Sequence, residues 1–482
     1  MGTQFYHGTS VTQSAENLVI TRTTKTATAG LLVTAPDADA VKFPLNKPIL
    51  LNRPSDAEGL GDAGSAKDAI DTLYDQKVFS VVLVRVEEGA TLQDTWANMM
   101  GNFAAYTGIH AFLKARAEGL PQPKRILAPG WTASSPADGI ASVNVTVAGG
   151  GYTQDTVSVA IAGATGSGAE ATATVATDGS ISSIIVTKPG YGYTGPIVVT
   201  ISDTGVGAGA TADGNIGTTM NPIVAEAIGV CDKLRARFFA DGPDTTDQAA
   251  VQYRQQINSK RIFVCDPKAL KFDSVTKLNV PVPSSPIFVG QYAKSDIEQG
   301  FWHSGSNKPI AGIVGMNRPV VYGAQSNYLN ENRVNTIVNI KTGNGSAGYR
   351  TWGVWTCSSE LLWQFEPVVA IADAINEEIE EGFLEFVDKP MTKANLVFVV
   401  ESARAIMRKH EKEGAILPGS EAFLSDKNTP EEMAQGIIKL DLKYEPVAPM
   451  VDIRITAHRN IAAYTLLLKL VNEQIGSGAV AA

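Results

Sequence analysis

The sequence predicts a multidomain α/β (α+β) protein with mixed sheets flanked by helices and an inserted all-β domain. Three observations carry this prediction. Strands alternate with helices over residues 47–130, a Gly- and Thr-rich segment at 134–219 repeats itself internally, and helical periodicity begins near 367. With 482 residues, 44% of them hydrophobic, the chain is long enough to bury large cores.

The region 47–130 alternates between apolar strand segments and helical segments. KPILLN and FSVVLVRV have the composition of buried strands, whereas SAKDAIDTLYDQ between them has the apolar spacing of a helix. KRILAPG closes the region as a further strand. This alternation is typical of βαβ units, so we expect a mostly parallel sheet.

The segment 134–219 differs abruptly in composition, being rich in Gly, Ala, Thr, Ser and Val with almost no Lys or Arg. SVNVTVAGGGYT is echoed by SIIVTKPGYGYT, with an offset of 41 residues between Tyr152 and Tyr193. Segments such as VNVTV and IVVTI alternate with the period of two that is typical of strands. We expect a small, internally duplicated β domain.

The α/β pattern resumes directly after this segment. NPIVAEAIGVCDKLRA predicts a helix with Asn221 as its N-cap and Pro222 at its first position. Removing the β segment would join the strand KRILAPG to this helix. The β domain is therefore predicted to be an insertion in a βα loop, where added length is tolerated.

The C-terminal part is predicted to be helical after a loop-rich stretch. Residues 279–350 are rich in Pro, Gly and Asn, which favours loops and short strands over helices. Helices are predicted from 367 and over 393–413, followed by two strands in KLDLKYEP and VDIRITAH. The acidic run NEEIEEGF is interpreted as a solvated helix face; the alternative is an electrostatic contact with a partner.

Charge and cysteine content exclude several classes of protein. The net charge of −9 argues against a nucleic-acid-binding protein, which needs a basic face. No apolar run approaches the length of a membrane helix, and the N-terminus lacks the pattern of a Sec signal peptide. Three widely spaced cysteines form no disulfide framework, so we expect synthesis in a reducing cytoplasm.

Two glycine motifs match the pattern of dinucleotide-binding loops. GNGSAG at 343–348 precedes strand-like residues and is interpreted as a turn. GLGDAG at 59–64 precedes a helix, but RPSDAE separates it from the strand that should position its first glycine. We expect no cofactor; the alternative hypothesis is a cytoplasmic α/β enzyme with a nucleotide cofactor at the GLGDAG turn.

Nucleophilic and metal chemistry find little support in the sequence. Cys357, within GYRTWGVWTCSS, has no known nucleophile context, and Cys231 and Cys265 fall in a predicted helix and a predicted buried strand. No HExxH or CxxC spacing is present. We therefore predict no catalytic residue, no metal site and no enzymatic activity.

Several blocks of the chain resemble the contractile tail sheath proteins of myophages, in the branch related to R-type bacteriocin sheaths. The blocks are TAPDADAVKFPLNKPILL, SVVLVRVEEG, and GYRTWGVWTCSS followed by FVDKPM. The resemblance covers roughly 1–130 and 220–470, whereas the segment 134–219 has no counterpart in shorter members. The family motif is matched by five residues: Gly348, Arg350, Trp352, Gly353 and Thr356.

The resemblance implies a structural subunit that polymerises as stacked hexameric rings around the tail tube. Such a sheath contracts after baseplate triggering and drives the tube through the host envelope. The implied partners are further copies of the chain, the tail tube protein, the baseplate and the tail terminator, without nucleic acid contact or membrane insertion. The implied location is the virion tail, assembled in the host cytoplasm.

The resemblance also divides the chain and assigns roles to residues. The predicted parts are an N-terminal arm (1–22), an α/β outer domain (23–133 plus 220–285), the inserted β domain (134–219), a C-terminal sheath core domain (286–460) and a C-terminal arm (461–482). The region from about 367 is expected to face the tube. The arms are expected to link subunits by strand addition through Phe5, Tyr6, His7, Val11, Ile461, Tyr464, Leu466 and Leu468.

Two sets of aromatic residues receive a packing role. The family motif is expected to pack through Arg350, Trp352, Gly353, Trp355 and Thr356. A third hypothesis assigns glycan binding to the inserted domain through Tyr152, Tyr191 and Tyr193, but their position beside glycines at repeat-related turns favours packing.

Overall fold

A computed structural model describes residues 26–78, 80–341 and 347–478. The chain divides into two compact units, Met1–Ala448 and Pro449–Ala482, which are described separately. The predicted N-terminal arm at 1–22, with Phe5, Tyr6, His7 and Val11, lies outside the described residues.

The first unit begins with alternating strands and helices, as the sequence pattern predicts. These elements are β1 (Ala29–Thr34), β2 (Pro48–Leu51), α1 (Ala66–Asp75), β3 (Val81–Val86), α2 (Leu92–Met100) and β4 (Arg125–Leu127). A 3-10 turn at Gly108–Lys114 lies between α2 and β4. The strand β1 precedes the region in which strands were predicted.

A closed barrel follows β4. Its strands are β5 (Gly139–Gly150), β6 (Val157–Ala162), β7 (Thr165–Val175), β8 (Ile181–Thr194), β9 (Ile197–Asp203) and β10 (Ala208–Gly217), in the order β10-β5-β8-β7-β6-β9. Backbone N–H of Thr219 donates to the carbonyl of Pro136 at 3.0 Å, so the two connections to the rest of the chain lie side by side. The inserted all-β domain of the predicted fold class is confirmed.

The barrel shows the duplication seen in its sequence. Tyr152 Oη accepts a hydrogen bond from Ala210 N at 3.1 Å, and Tyr193 Oη accepts the equivalent bond from Ala169 N at 3.0 Å. Both partners and both tyrosines are 41 residues apart. The rings are buried (4% and 3% exposed), and Tyr191 is 9% exposed. Packing, rather than stacking on a sugar, is therefore the role of these three rings.

The chain then returns to the α/β pattern with α3 (Pro222–Leu234), β11 (Arg237–Asp241), α4 (Asp247–Gln255), β12 (Ile262–Cys265), β13 (Ala269–Phe272) and β14 (Asn279–Val282). Helix α3 begins as predicted, because Asn221 Oδ1 accepts from the backbone N–H of Ile223 at 2.9 Å. The main sheet has the order β12-β11-β4-β1-β3-β2. Its strands pair in parallel except β2 with β3, which confirms a mostly parallel sheet.

Helices cover both faces of this sheet. Along β3, Val82 and Val84 belong to one core, and Val81 and Leu83 belong to the other. Residues of α2, α3 and α4 fill the first core, whereas those of α1 fill the second. This burial on both faces explains the near-continuous apolar strands of the sequence.

The stretch expected to hold only loops and short strands contains α5 (Ser285–Glu298), β15 (Gly315–Met316), α6 (Gln325–Glu331), β16 (Thr336–Lys341) and β17 (Ala347–Trp352). The expectation was wrong for the two helices, α5 and α6. Pro286 lies in the first turn of α5, where its missing N–H costs nothing, and Ile287, Phe288 and Tyr292 pack in the core beside α1. The division between an outer domain and a C-terminal core domain at 285 stays a prediction.

The unit ends with α7 (Glu366–Phe383), α8 (Lys393–Glu413), β18 (Glu421–Leu424), α9 (Pro430–Ala434) and β19 (Leu440–Lys443). The two long helices occur where their periodicity predicted them. They pack on each other through Ile371, Ile375, Ile379, Ile406 and Met407. Strands β18 and β19 pair antiparallel as a two-stranded sheet.

The second unit contains α10 (Ala463–Gly478). Residues 451–460 carry no strand within the described chain, contrary to the expectation for VDIRITAH. The residues Tyr464, Leu466 and Leu468 lie on a helix and not on an extended strand, because leucine is not branched at Cβ and favours helix. No helix in the described part of the chain is long and apolar enough to cross a membrane.

Candidate functional site

The GLGDAG turn binds a carboxylate of its own chain. Backbone N–H groups of Asp62 and Ala63 donate to the Asp37 carboxylate at 2.9 and 3.1 Å. The bond from Asp62 is the main cause that holds the pKa of Asp37 below its ordinary value. A Cβ on Gly61 would lie 2.2 Å from Asp37 Oδ1. Asp37 therefore occupies the amide groups that a nucleotide phosphate would need.

The GYRTWGVWTCSS stretch is held by a residue that the sequence analysis missed. Asn335 Nδ2 donates to the carbonyls of Val264 and Trp355 at 3.1 and 2.8 Å, and its Oδ1 accepts from Trp355 N at 2.8 Å. A Cβ on Gly353 would lie 2.3 Å from the same Oδ1. Asn335 thus fixes the family motif to the end of β12, and its position in a Pro- and Asn-rich stretch gave no indication of this.

The two tryptophan side chains of the motif pack on aromatic rings from other parts of the chain. The Trp355 ring lies 5.0 Å from the ring of Phe365, the N-cap of α7, and Trp355 Nε1 donates to Asn330 Oδ1 at 2.9 Å. The Trp352 ring meets that of Tyr322 edge to face at 5.2 Å. These contacts support the packing role assigned to the motif, which stays a prediction.

The two remaining motif residues bind main-chain oxygens. Arg350 Nη1 donates to the carbonyl of Asn307 at 2.7 Å. Thr356 Oγ1 donates to the carbonyl of Trp363 at 2.7 Å. Both contacts tie loops to the motif.

Cys357 is a core residue. It is 0% exposed, its backbone N–H donates to the carbonyl of Ile262 at 2.9 Å, and burial raises the pKa of its thiol to about 12. Burial likewise raises the pKa of the Cys231 thiol to about 12. Thiols with such pKa values stay protonated at neutral pH and are poor nucleophiles.

Four basic residues gather at the amino-terminal edge of the main sheet. Lys124 and Arg125 lie at the start of β4, Arg237 begins β11, and Arg261 directly precedes β12. Parallel strands begin at one edge of a sheet, so these side chains meet there although they are far apart in sequence. All four residues are 7% exposed or less.

Acidic residues from α7 and α5 neutralise this edge. Glu366 Oε1 accepts from Arg237 Nε at 3.0 Å and from Arg125 Nε at 3.2 Å. Asp296 binds Arg125 through both carboxylate oxygens, at 2.6 and 3.0 Å. Burial opposes the charge of Arg125, but these two carboxylates raise its pKa above the ordinary value.

Further pairs extend along α7. Asp373 accepts from Arg261 at 2.5 Å, Glu377 lies 2.6 Å from Lys124, and Glu380 pairs with Arg235. We call the whole set the α7 ion-pair cluster; it comprises Lys124, Arg125, Arg235, Arg237, Arg261, Asp296, Glu366, Asp373, Glu377 and Glu380. It joins α7 to the main sheet.

Two residues of the acidic run of α7, Glu377 and Glu378, are not on the solvated face that the sequence suggested, whereas Glu380 is exposed. Glu377 and Glu378 are 7% and 3% exposed. Glu378 lies 2.8 Å from His410 Nε2 and 2.9 Å from Lys409 Nζ, both on α8. The interpretation was wrong for these two buried residues because the cations that cover them come from distant parts of the chain.

A smaller set of contacts holds the barrel against the α/β unit. Glu226 on α3 lies 2.9 Å from His110 Nε2 and 2.8 Å from Lys188 Nζ of β8. Beside them, the Tyr191 ring of the barrel meets the Trp96 ring edge to face at 6.0 Å. Burial raises the pKa of Glu226, but bonds from His110 and Lys188 outweigh it and lower the pKa to about 2.

Metal binding finds no support in the described residues, where no group of three or more His, Cys, Asp and Glu is placed to hold an ion. The glycine loop binds a carboxylate of its own chain, the three cysteines are buried, and the ion-pair cluster lies between helix and sheet.

Tail sheath proteins are similar to this chain in sequence. No family model matches the chain. A prophage major tail sheath protein of Pseudomonas aeruginosa is 36% identical over 239 residues, which are 48% of this chain and 60% of that protein. The tail sheath protein of Escherichia phage P2 is 26% identical over 463 residues, 92% of this chain and 93% of that protein.

Solved structures share the fold. The sheath complex of an extracellular contractile injection system, PVC, in its contracted state has a TM-score of 0.59 at 13% identity, covering 96% of this chain and 100% of that one. The contracted helical sheath of the anti-feeding prophage has a TM-score of 0.57 at 14% identity, covering 95% and 100%. The chain is a homologue of the contractile tail sheath proteins and has their fold, which confirms the resemblance noted in the sequence.

Proposed function

We propose that the chain is the structural subunit of a contractile tail sheath that polymerises as stacked hexameric rings around a tail tube. On contraction, the sheath drives the tube through the host envelope. The observation that carries this proposal is the alignment with the phage P2 tail sheath protein over 93% of that protein. The likeness to two contracted sheaths supports it at the level of fold.

The α7 ion-pair cluster suits a subunit that must transmit force. It joins the main sheet to α7, so a load on the C-terminal helices is passed to the sheet through several buried bonds. The free energy of contraction then comes from the difference between two packings of the same rigid subunit. Such a mechanism needs no nucleotide hydrolysis, and we propose that the chain has no enzymatic activity.

The two chain ends are proposed to link neighbouring subunits. In the C-terminal segment, Val451, Ile453 and Ile455 alternate with polar residues and are 51%, 69% and 85% exposed. The β18–β19 sheet has two strands, each paired on one side within the described chain, so a strand of a neighbour can extend it. Strand addition is therefore assigned to 451–456.

The proposed partners are the tail tube protein, the baseplate and the tail terminator besides other copies of the chain, without nucleic acid contact or membrane insertion. The sheath would lie in the virion tail after assembly in the host cytoplasm. The region from α7 to β19 is proposed to face the tube.

Negative-stain electron microscopy of the expressed full chain tests the proposal. Long hollow cylinders are the expected result. A persistent monomer or dimer that binds a nucleotide would instead favour the enzyme hypothesis. Removal of residues 1–20 should leave folded subunits that form no stable cylinders, and normal polymerisation of this variant would contradict the linking role of the N-terminal arm.

A further inference from the structure

An apolar groove lies between α8 and β18. Leu396, Val397 and Val400 line it from α8, and Phe423 and Leu424 line it from β18. The groove encloses about 500 Å³. Val397 and Leu424 are 54% and 37% exposed, so the groove presents apolar surface to its surroundings.

Helix α10 carries an apolar stripe of its own. Tyr464, Leu468, Val471 and Ile475 recur at helical spacing and are 62%, 64%, 42% and 67% exposed. Glu473 lies on the opposite side of the helix. An amphipathic helix with this pattern is the kind of ligand that binds in an apolar groove.

We propose that α10 of one copy of the chain binds in the α8–β18 groove of a second copy. The inference rests on the proposed function, because it names the partner surface of the C-terminal segment. The apolar stripe and the groove have the same length along their helices. The stripe runs from Tyr464 to Ile475 and the groove from Lys393 to Arg404, which is eleven residue rises, or about 16 Å, in each case.

The segment that precedes α10 is long enough to reach a neighbouring copy of the chain. The fourteen residues of 449–462 precede α10 and carry no strand or helix within the described chain. Fully extended, fourteen residues span at most about 46–50 Å. A helix delivered by such a segment can bind a subunit other than its own.

Charges at the rim of the groove favour one orientation. Lys393 lies at the N-terminal end of α8, and Glu401 lies two turns further along. Glu401 is paired with Arg404 at 2.7 Å, so Lys393 decides the orientation. An antiparallel α10 would place its C-terminal carbonyls beside Lys393, as the helix dipole favours.

The size of the contact suits a polymer better than an isolated pair. One helix face in one groove buries less than the about 800 Å² per partner of a standard interface. Each copy donates one helix and accepts one, so the contact is heterologous and repeats along an open assembly. The contact between two isolated copies is therefore weak, whereas each copy in an assembly is bound both through its helix and through its groove.

Cysteine cross-linking between differently tagged full-length chains tests the proposal. One chain carries Val397→Cys and the other carries Val471→Cys. Background reaction is low, because the native cysteines are buried. Matched controls are Glu473→Cys on the opposite side of α10 and Lys412→Cys on an exposed part of α8 outside the groove.

The expected result is a disulfide-linked heterodimer from the Val397→Cys and Val471→Cys pair, at least tenfold more abundant than from either control pair. Equal yields in all pairs would overturn the proposal, as would a disulfide that forms only within one chain. Cylinders without the specific cross-link would refute the groove contact but leave the sheath function standing. The cross-link without cylinders would refute the sheath function instead.

A second variant keeps the test independent of cross-linking. Val397→Asp alters an exposed side chain and should leave the fold intact, but it should raise the concentration needed for cylinder formation at least tenfold. Lys412→Asp is its matched control and should not change that concentration. Unchanged assembly of Val397→Asp would overturn the proposal.

Discussion

Arg237, the first residue of β11, and Glu366, the first residue of α7, form a hydrogen bond of 3.0 Å between Nε and Oε1, with side chains only 3% and 1% exposed. The two residues are 129 positions apart in the chain. This bond and its neighbours join the main sheet to the C-terminal helices.

Replacing Glu366 with Gln should destabilise the protein strongly. The change keeps the shape of the side chain but leaves Arg125 and Arg237 buried with one anion fewer. Breaking a buried ion pair in this way costs about 3–5 kcal/mol in the free energy of unfolding, measurable by urea denaturation. Glu380→Gln is the matched control, because Glu380 is 65% exposed and exposed pairs contribute less than about 1 kcal/mol. Equal effects would contradict the importance of burial.

Trp355→Ala should be far more disruptive than Cys357→Ala. Loss of the indole removes the contact with Phe365 and the bond to Asn330. The free energy of unfolding should fall by nearly as much as in a core aromatic deletion, which costs about 3–5 kcal/mol. Cys357→Ala removes one sulfur atom and should cost about 1 kcal/mol. Thermal unfolding measures both, and microscopy should show cylinders for the cysteine variant. Loss of assembly in Cys357→Ala alone would contradict its assignment as a plain core residue.

Gly61→Ala should destabilise the GLGDAG turn by more than backbone conformation explains. Gly61 has φ +80°, and its added Cβ would meet Asp37. Gly119 has φ +75° but nothing within 4 Å of its Cβ position. Both variants carry a backbone strain of about 1–3 kcal/mol, so any additional loss of unfolding free energy in Gly61→Ala measures the contact with Asp37. Equal losses would show that the carboxylate moves aside freely.

The barrel contact should depend on pH through Glu226. Its pKa in the folded protein is about 2, below the ordinary value of 4.5, so the folded state favours the ionised form. The stabilisation is present above pH 4.5 and is lost as the pH falls toward 2. Glu226→Gln should therefore lower the free energy of unfolding at pH 6, and the difference from the native chain should shrink by pH 2.5. A difference that is constant with pH would contradict the assignment. Glu170→Gln, which alters the 62% exposed partner of Lys188, is the control.

Deletion of the barrel should leave polymerisation intact. Pro136 and Thr219 are hydrogen-bonded through their backbones, so a short Gly-Ser link can replace residues 137–218. The deletion exposes Trp96, which is 2% exposed in the native chain. Tyr191→Ala removes the barrel ring that packs on Trp96 and so measures the loss of unfolding free energy from this contact separately. Unfolding should occur at a lower temperature in both variants, and both should form cylinders. Failure of the deletion variant alone to assemble would show that the barrel is not peripheral.

Local sequence patterns predicted much of the fold, because the forces involved act over short distances. The N-cap Asn221 and the helix start at Pro222 follow from neighbouring residues alone. The offset of 41 residues between Tyr152 and Tyr193 likewise predicted the duplicated β domain, since each repeat forms its own turns and strands.

Long-range contacts explain what the sequence did not reveal. The acidic side chains of Glu377 and Glu378 resemble those of any solvated helix, because their partners Lys124 and His410 lie in other elements. Asn335, which holds the family motif, is one asparagine among several in a loop-rich stretch. Helix α5 was missed because Pro286 was interpreted as a loop residue when it is a helix start.

The adjacent entry and exit points of the barrel have a consequence for how such a protein diversifies. A closed barrel has no free strand edges, so it offers nothing that competes with strand addition at the chain ends. In the proposed sheath, we expect that modules of different size or surface chemistry can be exchanged at this one position without altering how the subunits fit together. The inserted module could then vary while the rest of the subunit stays the same, and an engineer could use the same position to display a foreign domain.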